Sequence, residues 1–425
     1  MRFDLRRAAG TLLRAGGPIA VAVAVQSAGN LLFHALAGRF LDPEEYGALG
    51  TLLAAMVMLG IPLGALQTAA SAHAAAHGTD RSSSARTLRS VTLWSLPAAL
   101  VTLLCTPLIS SYFHLDGIGE AAQLAPYLIV AALLATARGL LLGSRRLPVV
   151  AFSYVVATGV RLIGGLGLVL LLGAAGALAA TLLSEVAALA VAVRSLLRDP
   201  AGGPGGAALR LRSVGGAAVA VTGLFVFSTV DLLLARHHLP PDASGAYVAA
   251  ATVAKTVLAL PAAIMAAVFP RLVAAHRQAG RGRVLGRALV AVTGPALLGA
   301  AVVIAVPILV LRLLYGDQYA GSAVLVQLLT GVAGLTSVVT VLTNAALARR
   351  SWVTLIPWGG AILEVALIEA WNDSAGQIAS CSAAALLPTM LVIAVAEGRA
   401  WTGRAAARDD RSRQADPQAR TEGLR

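Results

Sequence analysis

The chain has 425 residues, of which 58% are hydrophobic and only 12% charged, with a mean hydropathy of +0.79. A soluble globular domain carries roughly 25% charged residues, and apolar runs longer than about 18 residues recur along this sequence, which excludes a large soluble protein. The net charge of +13 does not mark a nucleic-acid binder, because the arginines gather in alternate loops, as orientation signals of membrane proteins do.

From the N-terminus, the apolar pattern predicts an all-α polytopic membrane protein of twelve transmembrane helices. They lie at about 15–37, 46–72, 89–113, 121–142, 148–172 and 174–194, then at about 214–236, 245–270, 288–311, 319–347, 352–371 and 375–396. Each run reaches the ~20 residues that cross a ~30 Å hydrocarbon core. The first run is long and opens a series, so it reads as an uncleaved span. Pro62, Pro97, Pro126, Pro261, Pro307 and Pro357 fall within runs and predict kinks, tolerated where neighbouring helices or water satisfy the freed carbonyls. Cys105 and Cys381 sit inside apolar runs, so neither a disulfide framework nor a metal-ligand spacing is present.

The loops between these runs differ in charge. One side takes the N-terminus (Arg2, Arg6, Arg7, Arg14), "RSSSARTLR", "GSRRLP", Arg194 to Arg212, "RLVAAHRQAGRGRVLGR", "ARR" and an arginine-rich tail. The other takes "GRFLDPEEY", "HLDGIGE", "RHHLPPDASG", "YGDQY" and "WNDS", where acids prevail. The arginine-rich side is expected to be cytoplasmic, with both termini inside. The Gly/Pro-rich linker at 198–213 divides an N-terminal six-helix bundle (1–197) from a C-terminal one (214–397), and the tail at 398–425 is expected to be disordered. No soluble catalytic domain and no cofactor motif is attached, so an enzyme is not expected.

A repeat links the two parts. "AGRFLDPEEYGALG" (Ala37 to Gly50) echoes in "ARHHLPPDASGAYV" (Ala235 to Val248), with Leu41, Pro43, Gly47 and Ala48 matching Leu239, Pro241, Gly245 and Ala246 at a constant offset of 198. An even number of spans separates the copies, so both enter the membrane in the same sense. That is a parallel repeat, a transporter architecture with its site in a central cavity at the repeat interface. In each copy the proline and glycine predict a tight external turn. Asp42, Glu44 and Glu45 then fall at the start of the second helix, where the dipole favours carboxylates by ~0.3–1 kcal/mol. Tyr46 is expected at the outer interface, its ring among headgroups.

"NLLFHALAGRFLDPEEYGALGTLLAAMVMLGIPLGALQTAASAHAA" and "STVDLLLARHHLPPDASGAYVAAATVAKTVLALPAAIMAAVFPRL" resemble the two half-signatures of the polysaccharide-transporter branch of the multidrug/oligosaccharidyl-lipid/polysaccharide exporter superfamily. The resemblance covers about residues 15–397, with "GLLLGSRRLPVVAFSYVVATGVRLIGG" and "RLLYGDQYAGSAVLVQLL" in the style of its later spans. It implies a flippase that moves a polyprenyl-diphosphate-linked oligosaccharide outward across a bacterial plasma membrane, by alternating access of two six-helix bundles. The partners implied are that lipid-linked substrate, the bilayer, and a polysaccharide polymerase or glycosyltransferases of the same pathway, with no nucleic acid.

Ionisable groups within spans are costly and point to function. Six stand out: Arg138, Arg161, Glu185, Asp231, Lys255 and Glu364. Arg161 and Glu185 fall at similar depth, ~16 Å from the outer end at ~1.5 Å per residue. They can form a helix-locking ion pair, or Arg161 can face the cavity as a diphosphate contact, since guanidinium matches phosphate oxygens bidentately. Arg138 is expected to snorkel to the cytoplasmic interface. Asp231 and Lys255 can pair, or Lys255 can line the substrate cavity while Asp231 serves as a proton-coupling site, and Glu185 and Glu364 are further candidates for coupling or for intramembrane ion pairs. Gln26, Asn30 and His34, at i, i+4 and i+8, make one polar stripe, suited to a wet, sugar-binding cavity or to interhelical bonding. Gln67 and Ser71 are placed to face it.

The alternative from the same fold is a cation-coupled drug or metabolite antiporter. Such exporters usually need a carboxylate among the early spans, and the first five contain none. A lipid II flippase should carry arginines in its first two spans and two further spans. A membrane glycosyltransferase needs longer external loops, and a channel leaves the repeat unexplained. The topology is open to direct test. Cysteine at Glu44 or Asp242 should react with an impermeant maleimide from outside intact cells, and at Ser83 or Arg281 should not. Labelling of Ser83→Cys from outside would overturn it.

Overall fold

The computed structural model describes residues 5–198, 215–275 and 281–415. These residues form helices and no strand, as lipid requires of any chain that does not close into a barrel. Before residue 199 lie α1 (Leu5–Phe40), α2 (Pro43–His77), α3 (Arg81–Leu104), α4 (Thr106–Tyr112), α5 (Ile118–Ala122), α6 (Leu124–Gly143) and α7 (Leu147–Leu197). Beyond residue 214 lie α8 (Gly215–Phe227), α9 (Val230–His238), α10 (Pro241–Thr256), α11 (Ala259–Ala275), α12 (Arg281–Ala305), α13 (Pro307–Tyr315), α14 (Ala323–Ala348), α15 (Ile356–Ala370) and α16 (Ala375–Ala415). Among the described residues nine helices are long and apolar enough to cross a membrane, or eleven if each bent pair, α8 with α9 and α10 with α11, counts as one.

Gly173 divides the 51-residue α7. Its φ of +57° suits glycine, and a Cβ there would stand 2.6 Å from Oε1 of Glu45. A Cβ on Gly165 would lie 3.9 Å from that of Ala180, so the two arms run back along each other. The expected linker falls outside the described residues except for Arg198. The tail expected to be disordered continues as helix to Ala415, and 416–425 lie outside the description.

Local chemistry sets several helix ends. Asp42 is the N-cap of α2 and accepts from the Glu45 amide at 2.8 Å, with Pro43 next and Glu44 and Glu45 in the first turn. The acids of that loop therefore start a helix. Asp80 caps α3 through a capping box with Ser83, and hydrogen bonds from the Ser82 side chain and the Ser83 amide pull its carboxyl down to about 2. Arg145 and Arg350 end α6 and α14 at φ of +59° and +54°. The amides that follow, of Arg146 and Ser351, return to Leu141 O at 2.8 Å and Ala346 O at 3.0 Å, so both ends are Schellman motifs with arginine in the place glycine usually holds.

The apolar cores are separate for the two halves at one face and shared at the other. On the arginine-rich side, termed the inner face, one core joins Leu134, Leu140, Leu141 and Leu196 of the N-half (5–198), and another joins Met265, Leu272 and Val341 of the C-half (215–415). On the acidic, outer face a single core holds Tyr46, Leu49 and Leu52 with Tyr247, Val248 and Tyr315. Within the N-half, α2 lies against α6 where Gly139 and Gly143 let backbones touch. A Cβ there would meet Gln67 O at 2.3 Å or Ser71 O at 2.2 Å, as small-xxx-small packing requires.

The seam between halves is tightest where α2 meets α10 and also takes in α8, α9 and α13. A Cβ on Gly245 would sit 1.8 Å from Pro43 O, one on Gly50 2.1 Å from Cγ1 of Val248, and one on Gly47 2.6 Å from Oγ of Ser244. The two copies of the repeated loop thus face each other. Tyr46 is fully buried there, its ring 5.6 Å from Tyr315 and 6.0 Å from Tyr319 between centroids. The expected place among headgroups is corrected: the opposite half supplies aromatic partners that lipid would not. Past Met56 the tight contacts of α2 with α10 end, with the Tyr127 hydroxyl 3.7 Å from the Cβ position of Gly60 and nothing among the described residues near Gly64, and α2 meets the C-half next at α8.

Gly245→Ala is expected to lower stability by about 1–3 kcal/mol, because the clash is with backbone, and to reduce the melting temperature in detergent. Gly64→Ala should not. Equal melting of the two variants would contradict the described seam.

Candidate functional site

Each half holds a polar cluster in its interior. In the N-half, Arg161 on α7 donates from Nη1 to Oδ1 of Asn30 on α1 at 2.9 Å, and its guanidinium lies 4.2 Å from the centroid of the Phe33 ring. Its Nε has no hydrogen-bond partner among the described residues. His34, one turn along α1, points elsewhere, with Nδ1 3.1 Å from the Tyr46 hydroxyl of the seam. Gln26 and Gln67 are half-buried and make no side-chain hydrogen bond among the described residues. The stripe on α1 is thus divided: Asn30 serves the arginine and His34 the seam.

No ion pair within 4 Å joins Arg161 to Glu185 among the described residues. Glu185 instead interacts electrostatically with both Arg138 and Arg161. Arg138 does not snorkel, which corrects the expectation from sequence. It is 7% exposed, its Nε donates to Oγ of Ser153 at 3.0 Å, and its guanidinium lies 3.8 Å from the Tyr154 ring centroid. The next helix offers an acceptor and a π-face within reach, so the side chain has no need of the headgroups. Among the described residues the cluster holds two guanidiniums to one carboxylate, with Nε of Arg161 and Nη2 of Arg138 unpartnered. Chemically it suits an anion.

In the C-half a cavity of about 40 Å³ is lined by Asp231, Lys255, Glu364 and the hydroxyls of Ser228, Thr336 and Ser382. That is room for roughly two or three waters. Oδ2 of Asp231 accepts from the Tyr247 hydroxyl at 2.9 Å. Oδ1 of Asp231 and Oε2 of Glu364 are buried without a hydrogen-bond partner among the described residues. Lys255 closes no ion pair with Asp231 within 4 Å among the described residues, although both face the same cavity. With all three groups charged the balance is negative, the reverse of the N-half, and it suits a proton or small cation. Sequence reasoning found the three ions but missed Tyr247 and the hydroxyls. Tyr247 is one of the few tyrosines in the chain, but its match at the offset of 198 is Leu49, so the repeat gave no hint of it.

Residues 17–276 match the family of polysaccharide biosynthesis proteins. The chain belongs to that family. Its fold is that of transporters of the MOP superfamily. An inward-facing multidrug resistance MATE family transporter is 13% identical over 88% of this chain and 96% of its own, with a TM-score of 0.69. The lipid II flippase MurJ, in an inward closed conformation, is 11% identical over 89% and 87%, with a TM-score of 0.70. A MOP superfamily transporter from Pyrococcus furiosus is 16% identical over 91% and 96%, with a TM-score of 0.59. A search of curated proteins returns no match. This member of the polysaccharide biosynthesis family is a multi-pass membrane protein whose clustered charges lie within the helix bundle.

Tyr247→Phe would leave both Asp231 oxygens unpartnered, at a cost of about 1–3 kcal/mol. The expected readout is a lower melting temperature in detergent, restored when Asp231→Asn or Asp231→Leu removes the stranded charge. No change in melting would mean that the hydroxyl contributes nothing to holding Asp231.

Proposed function

We propose that this chain flips a polyprenyl-diphosphate-linked oligosaccharide, a cell-surface polysaccharide precursor, from the cytoplasmic to the outer leaflet of a bacterial plasma membrane. It does so by alternating access of two six-helix bundles, with twelve crossings and both termini cytoplasmic. The observation that carries this reading is Arg161: half-buried beside Asn30, not closed onto Glu185, and with a buried Nε that has no partner among the described residues. A diphosphate offers the acceptors such a guanidinium lacks. Asn30, with Gln26 and Gln67, supplies amide donors and acceptors for sugar hydroxyls. The positive N-half takes the cargo, and the carboxylates Asp231 and Glu364, moderated by Lys255, take the coupling proton or cation. Glycosyltransferases of the same pathway build the substrate inside, and a polymerase uses it outside.

Arg161→Ala is expected to reduce export of lipid-linked glycan about tenfold or more, the loss of one charge-assisted contact, at unchanged membrane levels. Arg161→Lys should recover part of it. Normal export by Arg161→Ala ends the diphosphate role. If Arg161→Ala and Glu185→Ala each fail while the double variant recovers, an ion pair is the better account. Efflux of a cationic drug that depends on Asp231 but not Arg161 would favour the antiporter.

A further inference from the structure

The outer seam holds two arginines whose arrangement repeats between the halves. Arg236, in the last turn of α9, is 3% exposed. It donates from Nε to Phe113 O at 2.9 Å and from Nη2 to His114 O at 2.9 Å. Its Nη1 donates to Oγ of Ser244 at 3.0 Å and to Glu44 O at 3.3 Å. Phe113 and His114 follow the last residue of α4 in the N-half. Arg39, in the last turn of α1, does the converse. Its Nε donates to Leu314 O at 3.0 Å and its Nη2 to Leu313 O, in the last turn of α13 in the C-half. Each half thus extends an arginine from the outer end of its first crossing to the carbonyls that end the third crossing of the other. Those carbonyls lack intrahelical donors and carry the negative end of the dipole, so a guanidinium both satisfies and attracts them.

One clamp is tied to the C-half cavity. Asp231 and Arg236 stand on the same nine-residue helix, α9, which is bent by 42° from α8 across Ser228 and Thr229. At ~1.5 Å per residue the two side chains are only ~8 Å apart along it. α9 is a short rod with the cavity carboxylate at its inner end and the clamp at its outer end. His237 strengthens that end, stacked on Tyr112 at 3.9 Å between centroids and with Nδ1 2.8 Å from Tyr112 O.

We propose that α9 is the lever of the outer face: a change in occupancy at the Asp231 cavity tilts it about the Ser228–Thr229 bend and draws Arg236 off the carbonyl end of α4. Arg236 is therefore a positioning residue, and Arg39 is its uncoupled counterpart, holding α13 from the other half. The lever rests on the transporter reading for the direction of movement. Its test requires no cargo.

In a background with Cys105 and Cys381 replaced by Ala, cysteine is placed at Ala48, buried in the seam, or at Gly60, beyond it. An impermeant maleimide is applied to right-side-out vesicles for position 48 and to inside-out vesicles for position 60. Arg236→Gln is expected to raise labelling at 48 about fivefold or more, while lowering it at 60, and Arg236→Lys, which keeps the charge without the fork, should fall between. A merely structural role would raise both rates in both variants, and that outcome, or an unchanged rate at 48, overturns the clamp. Asp231→Asn should shift the rate at 48 about threefold with Arg236 present and leave it unchanged in Arg236→Gln, the non-additivity expected of coupled sites. An equal shift in both backgrounds overturns the lever. A chain that passes these tests yet exports no lipid-linked glycan loses the cargo reading and keeps the lever.

Discussion

Where α2 crosses α10, the Pro43 carbonyl occupies the space that any side chain at position 245 would need. That backbone contact is a close approach between the halves, and much else follows from it. It brings Tyr46 against Tyr315 and Tyr319, sets Ser244 beside Arg236, and seats His34 under the Tyr46 hydroxyl. Burial of apolar surface cannot draw helices together in lipid as it does in water, so shape and hydrogen bonding must hold the seam. Glycine permits the shape. The arginines and tyrosines supply the bonds.

The two interior clusters divide the electrostatic work. In the N-half, arginines outnumber carboxylates around Asn30 and Tyr127, and in the C-half carboxylates outnumber the lysine. Opposite balances in adjoining compartments favour unlike ligands, an anion in one and a proton or cation in the other. Each half also has an interior polar side chain bonded to a tyrosine of the second crossing. Tyr46 bonds His34 in the first half and Tyr247 bonds Asp231 in the second. The two tyrosines occupy different positions of the repeat, so the wiring is alike in principle and unlike in sequence.

Much of this was legible in the residues. Hydropathy marked the apolar helices, including the break at Gly173, and the offset of 198 joined the loops that do meet in space. Placement along the helices was also informative: Asn30 and Arg161, both singled out as intramembrane polar groups, are in contact. Rotation about a helix axis was not legible, because in lipid an apolar face and a packed face read alike. Tyr46 was therefore assigned to headgroups although the other half covers it. Arg138 was sent to the interface for the same reason, since its acceptor Ser153 lies on a different helix and no local spacing announces it. The bend that frees α9 lies at Ser228 and Thr229, with no proline to advertise it.

The shared outer core also bears on how the protein is made. Tyr46, Leu49 and Leu52 leave the ribosome about 200 residues before Tyr247 and Val248, which at roughly 5–20 residues per second is a wait of ~10–40 s. During that interval the N-half has its own inner core but no partner for its outer end. Its seam glycines and tyrosines must be sheltered by lipid or by the insertion machinery until the second copy arrives. The glycine face of α2 is thus made well before the helix that fits it, and the close fit at Gly47 and Gly50 leaves no room there for a helix whose side chains are larger than Ser244 and Val248.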